Sequence, residues 1–553
     1  MRLLIVVLFL LVPFSVVSCM SWFHGHDHAD EDHHHKPLQF SETSGKNIAK
    51  GIVYEDLNRN RRYDLSDVVL PGVQVSNGED IVKTDSDGRY RISVGEDTII
   101  FVIKPRGYMT PLSKANLPQF YYIHKPKGSP KQNYPGVKPT GPLPEQIDFP
   151  LNKQKEPERF HIITFSDPQP RNVREIGYAK KDVFEELVGT DAKFGVTLGD
   201  IVFNPLSLFD EINAAVSIIG IPWYNVIGNH DSNYDARGQD KYSDETFESV
   251  YGPPYYSFNY GPVHFIVLDD VIWAPGNGKQ YEGGLSETQL RFIENDLKQI
   301  PKNQMICFFM HIPMVSIRAK DKKRLLDLIE DRPMSVSFSG HWHRQKHYFI
   351  RRPDGGLAKK PHHHVVTISV SGNLWRGLPD KRGIPHALGS DGTPNGYLVV
   401  TFDGDDYSFR YKGAGFPEDF QMRIYAPQKM TLAIAKKIMI KVNVFDGNEK
   451  SKVEMRPSWS KDWVKMTQFT AQDPEHNLRL YYGNKKTEKP YRKMKYGGPT
   501  THLWQAKLPE GARVGQHFVH VRIVDMFGQG YEAKREISIT EDVVVPPEKE
   551  SSE

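Results

Sequence analysis

Residues 223–231 read WYNVIGNHD and residues 335–343 read SVSFSGHWH. In each, an apolar run of strand composition breaks at a glycine and then delivers residues able to bind a metal: Asn229, His230 and Asp231 in the first, His341 and His343 in the second. Working outward, the pattern repeats. FHIITFSD ends at Asp167, with Pro168 stopping the strand; KFGVTLGD ends at Asp200; MICFFMH ends at His311. Between them lies helical text such as SETQLRFIENDLKQI (286–300), with a capping box from Ser286 to Gln289 and apolar residues at Leu290, Ile293, Leu297 and Ile300. Strands alternating with helices predict an α/β layered core. In such sheets the residues just past the carboxyl ends of strands converge on one edge.

Taken singly, each ending is ordinary: a Gly-Asp is a turn, a lone His a polar cap. Five successive apolar runs ending in ligand-type residues are not an expected coincidence. Asp, Asn and His without thiolates make a mixed oxygen/nitrogen site for divalent metals.

In this order Asp167-Pro-Gln169, Gly199-Asp200, Gly228-Asn229-His230-Asp231, Met310-His311 and Gly340-His341-Trp-His343 resemble the calcineurin-like metallophosphoesterase superfamily. The flanking segments are similar to the N- and C-terminal accessory domains of a three-part bacterial branch. The resemblance implies a four-layer α/β/β/α sandwich over residues 158–403 and a dinuclear centre of Mn, Zn or Fe ions. One ion would be held by Asp167, Gln169, Asp200 and His343; Asp200 would bridge to a second, held by Asn229, His311 and His341. Position 169 is most often His in the family, and Gln offers only a neutral amide oxygen, so the first ion is expected to bind less tightly or through water.

The chemistry implied is hydrolysis of a small-molecule phosphate mono- or diester. Two ions about 3.5–4 Å apart clamp the phosphoryl oxygens and acidify a water, giving a hydroxide that attacks in line. His230 is expected to hold no metal; it would contact the phosphoryl oxygens or protonate the leaving oxygen, with Asp231 orienting its ring. Two other classes compete: a degenerate phosphoesterase fold that binds a glycan or protein, supported by Gln169, and a metal-buffering surface protein led by a His-rich stalk.

The stretch SGNLWRGLPDKRGIPHALGSDGTPNGY (371–397) is long, rich in Gly and Pro, and set between strand-like runs, as functional loops often are. Trp375 is a candidate to stack on a base or sugar, Arg376 to pair with a second phosphate, and Asp391 and Asn395 to bond sugar hydroxyls. The alternative is a rigid surface loop packing its Trp. His362, His363 and His364 either approach the centre or form a solvated turn, and Trp273 is a further aromatic candidate.

The flanks read as β-sandwiches, at 48–150 and 428–541, from short alternating strands and Asp-Gly turns. In the first, Asp56, Asn58, Asn60, Asp64 and Asp67 fall at positions 1, 3, 5, 9 and 12 of an EF-hand-like loop whose sixth residue is Arg61 rather than Gly. The stretch resembles the calcium-stapled loop of bacterial surface β-sandwich repeats; it either binds calcium or is a polar turn tied by Asx hydrogen bonds. Pro-rich text at 125–150 is a linker or an excursion. The C-terminal flank holds no ligand cluster of its own, and 542–553 reads as a disordered tail.

Composition bounds the rest. Of 553 residues, 39% are apolar and 25% charged, enough for large cores, and a net charge of +3 argues against a dedicated nucleic-acid binder. Two cysteines exclude a disulfide framework. Residues 1–18 have the character of a secretory signal. Val16-Val17-Ser18-Cys19 resembles a bacterial lipobox, which implies cleavage and lipidation at Cys19 and a membrane anchor in the cell envelope, on the periplasmic side or the cell surface. Residues 19–47 form a linker containing HGHDHADEDHHH, with six histidines and four acids and too little apolar surface to fold.

Overall fold

The computed structural model describes residues 47–236, 239–273, 280–351 and 361–541. The signal, Cys19, the His-rich tract and the 542–553 tail lie outside the described residues.

The apolar runs form two mixed sheets. In chain order their strands are β1 (Arg159–Phe165), β2 (Phe194–Leu198), β3 (Trp223–Val226), β4 (Tyr256–Tyr260), β5 (Val263–Val267), β6 (Met305–Phe309), β7 (Ser335–Ser339), β8 (Lys346–Ile350), β9 (His362–Val366), β10 (Gly396–Asp403) and β11 (Asp406–Gly413). The first sheet runs β3-β2-β1-β10-β11, with β1, β2 and β3 parallel. The second runs β4-β5-β6-β7-β9-β8, with β5, β6, β7 and β9 parallel. Side chains from both sheets share one core: Phe160, Ile162, Phe194 and Val196 from the first meet Phe265, Val267, Phe309 and Phe338 from the second. Cys307 lies fully buried there, its thiol pushed up by desolvation. β2, β3, β5 and β6 are buried on both faces, which is why they read as largely continuous apolar runs rather than alternating ones.

Helices pack against both sheets. α1 (Val173–Ala179), α2 (Phe209–Val216) and α3 (Glu245–Tyr251) share a second apolar cluster with Ile163, Phe165 and Trp223 of the first sheet. α4 (Glu287–Leu297) and α5 (Ala319–Leu328) contribute Leu290, Ile293, Leu325 and Leu326 to the first cluster. Ser286 caps α4 by accepting from the Gln289 N–H at 3.2 Å. The reciprocal half of the capping box is absent, because the Gln289 side chain instead brackets the Asp269 backbone, accepting from its N–H at 3.0 Å and donating to its carbonyl at 2.7 Å.

Both flanks are β-rich. Residues 47–153 form a five-stranded and a four-stranded sheet, and residues 422–540 another pair of four and five strands. The N-terminal flank joins the central core directly: Phe120 packs on Tyr256 with ring centroids 4.9 Å apart, and Phe101 on Phe292 at 5.7 Å. Residues 125–150 are an excursion over α3 rather than a linker. Lys125 Nζ, buried, lies 2.5 Å from Glu245 and 3.0 Å from Glu248, and Gln132 donates to the Tyr242 carbonyl at 2.8 Å.

Candidate metal centre

Because β1, β2 and β3 are parallel, as are β6 and β7, the residues following each strand lie along one edge. There Asp167, Asp200, Asn229 and His311 are buried, while His341 and His343 are partly exposed. The turns that deliver them are unusual. Among the described residues eleven non-glycines have positive φ, and six of these are Asp167, Gln169, Asp200, Asn204, His341 and His343. Left-handed backbone at non-glycine residues costs free energy and gathers at functional sites.

The motif glycines are set by crowding. A Cβ on Gly228 would lie 2.1 Å from the Asp200 backbone nitrogen, one on Gly199 2.4 Å from His311 Nδ1, and one on Gly340 2.5 Å from Asp167 Oδ2. Each glycine lets one strand end approach the next.

His311 Nδ1 donates to the Leu198 carbonyl at 2.9 Å, which leaves Nε2 with its lone pair outward. Facing that nitrogen are Asn229 Oδ1 at 3.0 Å, Asp200 Oδ1 at 3.2 Å and His341 Nδ1 at 3.2 Å. Gln169 donates from Nε2 to Asp200 Oδ2, while its buried Oε1 has no hydrogen-bond partner among the described residues. His343 donates from Nδ1 to the Gly372 carbonyl at 2.6 Å and turns Nε2 toward Asp167 Oδ1 at 3.5 Å. Asp200, His311 and His341 thus form a group able to hold a metal ion. Lone pairs pointed at one another in a buried space, beside an orphaned amide oxygen, fit a cation.

The electrostatics agree. Burial alone would raise the Asp200 carboxyl, yet His311 and His230 bring it well below the usual range. Burial would lower His311, but the Asp200 and Asp167 carboxylates push it up to about 10; His341 falls to about 3 through burial and the neighbouring His311. Carboxylates that favour an extra proton on His311 mark a centre short of positive charge, which a cation facing Nε2 would supply in place of that proton.

Three residues outside the sequence reading support this edge. Asp270, at the end of the β5 run, accepts from the His311 and Ile312 N–H groups at 3.1 and 3.0 Å, and burial pushes its carboxyl up to about 7. Asn204, four residues past Asp200, faces His230 Nδ1 with its Oδ1, and Tyr234 places its hydroxyl 3.3 Å from the same nitrogen. An acid doubled in "LDD" and an amide in "GDIVFN" were the available signals.

Several expectations are corrected. Asp231 does not orient the His230 ring; it is buried and accepts from the N–H groups of Ile201, Val202 and Gly228 at 3.1, 3.1 and 2.9 Å. Trp375 is 1% exposed, its Nε1 donating to the Pro168 carbonyl at 3.0 Å, so it offers no face to a ligand. Asp391 is spent on the Gln345 and Thr393 N–H groups and on His502 at 3.0 Å. Asn395 is buried and donates to Asp182 and the Val370 carbonyl. Arg376 remains partly exposed. Trp273 is buried, 5.0 Å ring to ring from Tyr234. His362, His363 and His364 lie in β9, neither at the centre nor in a solvated turn; Ser335, Ser337 and Ser339 of β7 bond His362 and His364, and His347 and Tyr407 bond His363.

In the 56–67 loop, Asp56 accepts from the Asn60 and Arg61 N–H groups at 3.1 and 2.9 Å, Asn58 and Asn60 donate to Asp64, and Asp67 accepts from Leu57 and Asp64. These are the Asx bonds of a polar turn, and Arg61 takes the left-handed conformation at φ 62° where the calcium loop has Gly.

Carboxylate, amide and imidazole donors gathered at the edge of two packed mixed sheets define a metal-dependent hydrolase. The sequence carries the comparison further. Residues 160–345 match the family described as Calcineurin-like phosphoesterase, residues 59–137 its N-terminal and residues 363–531 its C-terminal companion. The chain belongs to the calcineurin-like phosphoesterases, and it is a metallophosphoesterase, an enzyme of the phosphoric ester hydrolase class. It is 25% identical over 231 residues to a probable glycerophosphodiester phosphodiesterase GpdQ of Arcobacter nitrofigilis, covering 37% of this chain and 80% of that protein. A purple acid phosphatase, PPD1, from yellow lupin (Lupinus luteus) seeds aligns with TM-score 0.34 and 15% identity over 64% of this chain and 68% of that one.

Proposed function

We propose that this protein is an envelope-anchored phosphoesterase that hydrolyses small phosphate mono- or diesters at a dinuclear centre, in a four-layer α/β/β/α sandwich between two β-sandwich flanks. The observation that carries the reading is the convergence of Asn229 Oδ1, Asp200 Oδ1 and His341 Nδ1 on His311 Nε2, at 3.0–3.2 Å. Asp167, Gln169, Asp200 and His343 are assigned to one divalent ion, and Asp200, Asn229, His311 and His341 to the other; Mn, Zn and Fe all suit such donors. Bound there, two ions would supply Lewis acidity toward phosphoryl oxygens and a water acidic near neutral pH.

The chain's own residues do the rest. Leu198 and Gly372 fix the His311 and His343 tautomers through backbone carbonyls, which holds Nε2 of each toward the centre. Asn204 engages His230 Nδ1 and leaves Nε2 as the free nitrogen, which in the imidazolium form, with a second proton on Nε2, is in place to donate to a phosphoryl oxygen or to protonate the leaving oxygen. The name of the bacterial relative, a probable glycerophosphodiester phosphodiesterase, favours diesters among the substrates to try first.

The test is a turnover screen of the purified protein with added Mn²⁺, Zn²⁺ or Fe²⁺ on aryl phosphate mono- and diesters. Hydrolysis with about two ions retained is expected; tightly held ions without turnover of any ester would make the fold a binding protein instead. Anchoring has its own test, because Cys19→Ser should move the protein from the membrane to the soluble fraction, and an unchanged distribution would refute the lipid anchor.

A further inference from the structure

Beside His230 the ring of Phe203 stacks at 4.3 Å between centroids, and on the Phe203 ring sits the Arg171 guanidinium, 3.9 Å from the centroid. Arg171 does not stand alone. The charges of Arg376, from the 371–397 loop, and Arg492, from the C-terminal flank, both act on it, and Arg492 acts on Arg376. Among the described residues, Glu175 is the carboxylate paired with two of these cations. Glu175 on α1 lies 2.8 Å from Arg492 Nη2, and 3.8 Å from Arg171 Nη1, beyond hydrogen-bond reach. Arg171 Nη1 and Arg376 Nε are buried with no hydrogen-bond partner among the described residues.

Backbone contacts lock Arg376 and Arg492 together. Arg376 Nη1 donates to the Lys493 carbonyl at 3.0 Å, Arg492 Nη2 donates to the Leu374 carbonyl at 2.5 Å, and the Gly377 N–H donates to the Arg492 carbonyl at 2.9 Å. The Arg171 and Arg492 side chains keep 21% and 27% exposure, so solvent reaches them. Like charges brought together with donors unpaired raise the free energy of the empty site. A planar fork of N–H donors matches a phosphoryl group, which would take up both the charge and the donors.

We propose that Arg171, Arg376 and Arg492 form a second anion subsite, one stacking layer from His230, which selects phosphate esters whose alcohol carries a second phosphoryl-type anion. The proposal rests on the phosphoesterase reading of the adjacent centre. It gives the C-terminal flank a part in specificity, since Arg492 completes the subsite.

The experiment compares 4-nitrophenyl diesters of phosphate that bear alkyl chains of two to five carbons, each ending either in a phosphonate or in a methyl group. The range of chain lengths covers the span between the two sites. For at least one length, kcat/KM of the phosphonate ester should exceed that of its neutral partner by tenfold or more, mainly through KM. Arg492→Gln and Arg376→Gln should bring that ratio close to one, while Arg492→Lys, which keeps the charge, should hold part of it. Unchanged thermal melting would show that the variants fold; if Arg492→Gln melts early, Arg376→Gln carries the comparison. A ratio of one at every length in the wild-type protein would overturn the proposal, and so would a ratio that survives both Gln variants. Calorimetric binding of free methylphosphonate that Arg492→Gln abolishes, with an ester ratio of one, would make this a free-anion site and overturn the substrate assignment. Failure to hydrolyse both the neutral diesters and 4-nitrophenyl phosphate would refute the phosphoesterase reading itself; calorimetry of the phosphonate esters on wild type and Arg492→Gln would still decide the subsite.

Discussion

His230 Nδ1 is held by Asn204 Oδ1, and the Asn204 N–H donates in return to the His230 carbonyl at 3.3 Å. An amide oxygen only accepts, so this pairing puts the proton on Nδ1 and leaves Nε2 free. Asn204 reaches the position through a left-handed backbone, φ 66°, which Asn tolerates better than most residues.

His230→Ala should keep the metals and lose roughly 10²–10⁴ in turnover, the usual contribution of a positioned acid. The loss should shrink for aryl esters, whose leaving oxygen needs no proton. Asn204→Ala should cost about 10–100-fold, the usual effect of removing a residue that orients such a group, and Asn204→Asp should recover part. Rates on aryl and alkyl esters, measured with metal content, check this; equal slowing of both ester types by His230→Ala would assign it to phosphoryl binding, and metal loss would require new ligand assignments.

Asp200 lies against His311, accepts from Gln169 Nε2, and also accepts from the His230 N–H at 2.9 Å. Asp200→Asn should therefore strip both ions and abolish turnover on every ester. Gln169→His should act in the opposite direction at the first ion, because imidazole is the stronger donor. Metal retained after dialysis, counted by mass spectrometry, should rise in Gln169→His and fall toward zero in Asp200→Asn. Undiminished metal in Asp200→Asn would exclude the bridging role.

Gly228 has an ordinary φ of −112°, so its requirement is space alone. In Gly228→Ala the new Cβ would press on the Asp200 nitrogen and on Oδ1, at 2.1 and 2.4 Å. Such overpacking typically costs about 1–3 kcal/mol, and here the atoms that must yield belong to the centre. The variant should fold with a lowered melting temperature and bind metal poorly; full metal content would show that the loop moves without disturbing Asp200.

The chemistry at strand ends was legible because parallel strands leave their carboxyl ends no choice of edge. Asp167, Asp200, Asn229, His311, His341 and His343 meet for that reason. Side-chain partners were less legible. Asp231 follows His230 directly and looks like its partner, but residues adjacent in a tight turn point apart, and its carboxylate closes the turn through three backbone N–H groups. Three consecutive histidines at 362–364 look solvated, yet serines spaced two apart on β7 satisfy His362 and His364 inside the sheet. Arg492 could not be placed at all, since only tertiary packing brings the C-terminal flank to α1.

Lys125 joins the 125–150 excursion to α3 through Glu245 and Glu248, and these buried groups depend on it. Burial alone would lower the Lys125 ammonium, but Glu248 and Glu245 hold it well above its usual value. Lys125→Met would leave two carboxylates without their cation, a loss of about 3–5 kcal/mol for a broken buried pair. Chemical denaturation should show it, and Lys125→Arg should recover part. A change below about 0.5 kcal/mol, the scale of ordinary surface substitutions, would mean that protonation of the glutamates compensates.

Asp391 links the central sheets to the C-terminal flank through His502, which also bonds Asn443 at 2.8 Å. Burial would raise the Asp391 carboxyl, but the bonds from His502 and from the Gln345 and Thr393 N–H groups hold it below its usual range. A folded-state value below the unfolded one, near 3.9, contributes stability that is fully present above that pH. The contribution is lost as pH falls through the lower folded value. Asp391→Asn should therefore destabilise the protein at pH 7, by about 1–3 kcal/mol for the loss of charged hydrogen bonds, and the gap to wild type should narrow at pH 3. Urea unfolding of both proteins at the two pH values measures it. A gap that stays constant would show that Asp391 acts by shape rather than by charge.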